Sequence, residues 1–199
     1  MWNDWPSSKL PDSDRESVYP VYVQGHALRR LEERFDFPDW NWAFHFHLGE
    51  SLREPVLFQG QRPGVYLVEY RIHGKRFGYL VAERLSDLIL VRTFKFLTMA
   101  GTPEGARLQQ RSRLRRPDLA YHRLDRWSTF AFSDLGLDRG LVELFAECGC
   151  GHLLVPPELW EGVEPAMKVS EALRQYIGMP PRAGDEAAGW HALRTDRSP

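Results

Sequence analysis

Cysteine is almost absent: the 199-residue chain has two, Cys148 and Cys150. Two cysteines separated by a single residue make a poor disulfide. That excludes a disulfide-framed secreted fold, and a reducing, cytoplasmic setting is expected. No run approaches the roughly 18 apolar residues that a membrane helix needs. The opening Met1-Trp2-Asn3-Asp4-Trp5-Pro6 lacks the basic and apolar regions of a secretory signal, so no membrane partner is expected. Net charge is also missing, with 26 Lys and Arg against 27 Asp and Glu; the balance argues neither for nor against a nucleic-acid protein. There is no internal repeat or low-complexity tract. Nor is there a nucleophile elbow or a dinucleotide fingerprint. Gly101-Thr102-Pro103-Glu104-Gly105 is glycine-rich but lacks the Lys-Ser/Thr ending of a phosphate loop. No cofactor is therefore expected.

What the chain does contain is an ordered succession of periodic segments. Residues 1–17 and 178–199 are polar and turn-rich and read as a flexible arm and a flexible tail, the latter with a short helix at 186–193. Between them, a strand over 18–23 leads into a helix over 26–36 and a second over 39–53, with Asp39 as its cap after Pro38. Trp40, Phe44, Leu48 and Leu52 recur every four residues and should face a sheet. Strand-like runs follow at 56–58, 64–72, 77–82 and 88–97, with a tight turn at His73-Gly74-Lys75. The last run is apolar on both faces, as a central strand should be. Arg92 and Lys95 within it stand at an odd separation, so each is a charge in an apolar row that needs an ion pair or a cleft.

Residues 99–177 read as a mainly helical extension packed on the 18–98 module. Thr102-Pro103 starts a helix over 103–112, 127–132 forms a short strand or buried turn, Asp138 caps a helix ended by Gly149 and Gly151, and a last helix covers 164–177. The expected fold is thus α+β, an antiparallel meander packed on two N-terminal helices with a helical C-terminal extension.

Three constellations carry chemistry. His26, Arg30 and Glu33 converge on the face of the first helix opposite Leu28, Leu31 and Phe35, a trio that fits either a site or a solvated face. Between Arg107 and Arg126 stand seven arginines against Asp118 and Asp125, a local excess of 7 − 2 = 5 positive charges. Guanidinium groups suit bidentate phosphate contact, and Arg113, Arg115 and Arg116 are the expected RNA contacts. His45-Phe46-His47 and Cys148-Gly149-Cys150-Gly151-His152 offer zinc-type ligands. However, residues i and i+2 of a helix lie about 200° apart, and the cysteines lack a matching pair, so no metal is expected. Trp40 and Trp42 suit the core or a protein interface.

The order strand, helix, helix, meander resembles the RelE-like toxin superfamily, most of all the BrnT-type branch, whose His-Ala-Leu-x-Arg-x-x-Glu-Arg helix is matched by His26, Ala27, Leu28, Arg30, Glu33 and Arg34. The resemblance covers residues 18–98. It implies a metal-independent endoribonuclease that pairs with an antitoxin, in which the RNA 2′-hydroxyl attacks the neighbouring phosphorus and the protein supplies proton transfer and cations. His26, Arg30, Glu33 and Arg92 would be catalytic. His26 and Glu33 would move protons, and Arg71, Lys75, Arg76 and Arg92 would neutralise phosphate. The chain is then a toxin-like endoribonuclease or an RNA-binding derivative of one; the alternative is a non-enzymatic interaction module using its Trp-rich helices.

Overall fold

The computed structural model describes residues 1–11, 17–37, 41–154 and 166–180. One six-stranded sheet forms the centre: β1 (Asn3–Pro6), β2 (Val18–Val23), β3 (Leu57–Gln59), β4 (Val65–Ile72), β5 (Lys75–Arg84) and β6 (Ile89–Phe96), in the spatial order β1-β2-β6-β5-β4-β3. Helix α1 (Gly25–Phe35) lies against β6, and α2 (Asn41–Arg53) lies against β4. The second half supplies α3 (Pro103–Ser112), α4 (Arg116–Tyr121), α5 (Trp127–Phe132), α6 (Arg139–Glu147) and α7 (Ser170–Tyr176). No described helix is long and apolar enough to cross a membrane.

The sheet corrects the expected layout. It is mixed, because β2 runs parallel to β6, Val21 to Val23 pairing with Ile89 to Val91. It also has two strands beyond the β3–β6 meander. Residues 3–6, expected as part of a loose arm, form the edge strand β1. Trp5 is fully buried there, and its indole Nε1 donates to the carbonyl of Leu52 at the end of α2 at 2.7 Å. A four-residue strand with one apolar anchor leaves no periodic trace in the sequence. Pro20 interrupts β2 where it pairs only with β1, before the β6 pairing begins, so its missing N–H costs no bond to β6.

The core sits between the sheet and the helices. Leu31 and Phe35 of α1 and Phe44, Leu48 and Leu52 of α2 are buried against Tyr70, Phe77, Phe94 and Phe96. Asp39 and Trp40, expected as cap and first stripe residue of α2, lie outside the described residues, as do the C-terminal residues beyond Pro180. Gly78 matters because a Cβ there would meet the Phe94 ring at 2.5 Å, so a side chain would push β5 away from the aromatic cluster. The β4–β5 turn uses His73 and Gly74, both at positive φ (48° and 76°), as a tight hairpin turn requires.

Residues 127–132 are a helix rather than a strand or turn. The reason lies far away in the chain: Asp36, the left-handed cap of α1, accepts from the Ser128 amide at 3.2 Å and the Ser128 hydroxyl at 2.7 Å, capping the first turn of α5 from outside. The last helix is short, Ser170–Tyr176, and the expected residues 164 and 165 at its start lie outside the described residues.

Candidate functional site

Beyond Val91, β2 has left β6 and turned into α1. The gap beside the rest of β6 is not filled by another strand, and a cavity of about 380 Å³ opens there between α1, β6 and α4. Helix α1 contributes His26, Arg30 and Arg34 from three successive turns; β6 contributes Lys95 and α4 contributes Arg116. Asp125 is the acidic residue of the lining, and Phe94, Met99 and Leu119 supply apolar wall.

Each cation has a different status. Arg30 Nη1 is bonded to Glu33 Oε2 at 2.6 Å, both side chains 38 % exposed. Arg34 Nη1 donates to Asp125 Oδ2 in a well-buried pair, while its Nε is buried without a partner among the described residues. Lys95 Nζ donates to the carbonyl of Ala100 at 3.3 Å and has no ion pair among the described residues. Burial, and then the charge of Arg116, hold its ammonium below the ordinary lysine value. Gly101, at φ 84°, permits this: a Cβ there would collide with the Lys95 ammonium. Arg116 is exposed and also without an ion pair among the described residues. His26 is exposed at the rim, where Arg29 Nη2 donates to its Nδ1 at 3.1 Å, leaving the proton of the neutral ring on Nε2.

Comparison of the chain with protein-family models, curated proteins and solved structures gives no match.

Of the four expected catalytic residues, His26 and Arg30 line this cleft. Glu33 is outside the lining and serves as the partner of Arg30. Arg92 is also outside it, paired with Glu83 across the β5–β6 ladder. The register shifts there, Val81 pairing with Thr93 and Ala82 with Val91, so Arg92 is the unmatched residue of a bulge.

Arg71 and Arg76, expected as phosphate contacts, are committed to buried carboxylates. Arg71 bonds Glu69 at 2.7 Å through Nε, and Arg76 bridges Glu69 at 2.6 Å and Glu104 at 2.7 Å. The Tyr79 hydroxyl completes the group, donating to Glu104 at 3.2 Å; burial, then Glu104, raise its phenol. Lys75 stands exposed at the hairpin turn.

The arginine-rich segment divides. Arg107 contacts Glu104 and the Cys148 carbonyl, Arg111 pairs with Glu147, and Arg123 and Arg126 pair with Asp36. Arg113, Arg115 and Arg116 are exposed and make no ion pair among the described residues. Two cleft residues, Arg34 and Lys95, were not among the expected site residues. The sequence carried a signal for both: Arg34 continues the His26, Arg30 spacing by one more turn, and Lys95 is a charge in an apolar strand.

The zinc-type ligands go separate ways. His45 approaches Glu32 on α1 at 3.3 Å, whereas the His47 ring lies 5.0 Å from the His73 ring. Among the described residues no three metal-ligating side chains come together. Both cysteines are buried; burial raises the Cys148 thiol and pushes that of Cys150 up to about 12, which makes them packing groups rather than nucleophiles.

Proposed function

We propose that this protein binds single-stranded RNA, with the α1–β6–α4 cleft as its phosphate anchor. The observation that carries the reading is the convergence of His26, Arg30, Arg34, Lys95 and Arg116 on one recess with Asp125 as the acid of its lining. Arg113 and Arg115, just before α4, are exposed, make no ion pair among the described residues, and add cations beside the cleft residue Arg116 in the chain that can take further phosphates. The resemblance of the α1 motif to ribonuclease toxins supplies RNA as the polyanion. Binding is favoured over cleavage because, of the two expected proton-transfer groups, His26 lines the cleft and Glu33 is engaged by Arg30 outside it.

The test is anisotropy of a labelled single-stranded RNA against salt concentration. Wild type is expected to lose affinity steeply as salt rises, and Arg113→Ala/Arg115→Ala/Arg116→Ala to lower the slope by about 2, since each single-strand phosphate contact is worth about 0.7. Absent or salt-independent binding overturns the reading.

One observation favours a second reading. Trp42 and Phe46, a turn apart on α2, are 72 % and 58 % exposed, as a protein-docking face would be. A wild-type dimer that becomes monomeric in Trp42→Ser/Phe46→Ser assigns α2 to protein contact. A monomeric wild type removes self-association as the role of that face.

A further inference from the structure

The charges of the cleft do not balance, and the imbalance says what kind of phosphate belongs there. Arg30 and Arg34 are each answered by a carboxylate, Glu33 and Asp125. Lys95 and Arg116 have none among the described residues, so two cationic groups stand in one recess without a carboxylate partner there, with the His26 imidazole at its rim. An internal phosphodiester carries one negative charge; a phosphate monoester carries close to two at neutral pH, its second pKa being near 6.

The shape agrees with the charge. About 380 Å³ is at the small end of ligand sites. Phe94 and Met99 from the β6 side and Leu119 from α4 give it apolar walls. Such a recess receives the end of a strand more readily than a phosphate that must continue in both directions. Burial and the nearby Arg116 disfavour the Lys95 ammonium, and a dianion between the two cations offsets their mutual repulsion. The buried Arg34 Nε is a further donor without a partner among the described residues.

Resting on the RNA-binding reading, we infer that the cleft is a receptor for a terminal phosphate monoester of RNA, with Lys95 and Arg116 as the residues that select the dianion.

The experiment compares single strands of one sequence, about ten nucleotides long, bearing a 5′-phosphate, a 3′-phosphate, or hydroxyls at both ends. Inorganic phosphate and the terminal mononucleotide serve as competitors. One phosphorylated end is expected to bind about tenfold more tightly than the hydroxyl-ended strand, the worth of one added charge contact in a partly buried site. Lys95→Met and Arg116→Gln are each expected to bring the ratio of affinities for the phosphorylated and hydroxyl-ended strands close to one, on top of the weakening common to both strands. Equal affinity for all three strands overturns the inference and leaves the RNA-binding reading standing. Failure of every strand to bind overturns that reading itself. Inorganic phosphate competing as well as the phosphorylated strand would assign the recess to the free anion and overturn the strand-end assignment.

Discussion

Lys95 is held where an ammonium group is disfavoured: half-buried, bonded among the described residues only to the Ala100 carbonyl, and within the field of Arg116. The folded chain therefore binds this proton less readily than the unfolded chain. Stability contributed by the site rises as pH climbs through the lowered value toward that of ordinary lysine. At neutral pH the charge is a burden, and Lys95→Met is expected to raise the melting temperature by roughly 1 to 3 °C while weakening RNA binding several-fold. A fall in melting temperature with unchanged RNA affinity would show instead a structural lysine. His26 and Arg30 could be singled out in the sequence because helical periodicity places them on one face. That Glu33 would be used up on Arg30, and Arg92 drawn off to Glu83 at a bulge, depends on neighbours that periodicity does not name.

Among the elements, the contact of α2 with the β4–β5 turn carries a pH dependence. Burial first, and the adjacent His73 second, lower the pKa of His47 from its ordinary value of 6.5, while Glu50 opposes the shift. The folded state thus favours the neutral ring. Its contribution to stability is complete above about pH 6.5 and is lost as pH falls through the window between that value and the lowered one. Melting temperatures of wild type and His47→Gln between pH 7.5 and 5.5 check this: the variant is expected to lose less on acidification. An identical decline would place the acid sensitivity elsewhere. The helix extents of α1, α3 and α6 were legible because their stops and caps are local: Thr102 accepts from Gly105 N at 2.9 Å and Asp138 from Leu141 N at 3.1 Å. The nature of α5 was not, since its cap is Asp36, more than ninety residues earlier.

Across the whole molecule, Arg76 ties the sheet to the C-terminal helices. It bridges Glu69 on β4 and Glu104 on α3, two carboxylates 7 % and 2 % exposed, while the His152 ring contacts its backbone carbonyl at 2.5 Å. Arg76→Met leaves both carboxylates buried without that partner. With the guanidinium 29 % exposed the loss is smaller than for a sealed pair, and about 2 to 3 kcal/mol is expected from urea unfolding. The triple variant Glu69→Gln/Arg76→Met/Glu104→Gln should recover much of that loss; if it does not, the bridge contributes through packing rather than charge.

The sequence by itself determined the segments with a strong period or a local cap: α1, α2, α3 and α6 as helices, β2 and the β3–β6 runs as strands, and β6 as a strand inside the sheet, whereas β1, α4 and α5 escaped it. The segments it determined follow from side-chain period and cap chemistry, which act over a few residues. Only the tertiary structure decided that β2 pairs parallel to β6, that Asn3–Pro6 closes the edge, and that β2 leaves β6 early enough to open a cleft. Strand partners and ion pairs are chosen by what remains to be buried or neutralised once the helices dock, and that competition joins residues as distant as Arg34 and Asp125. The chain therefore spells out its cations in order, but the packing of α1 and α4 about β6 selects the five that meet.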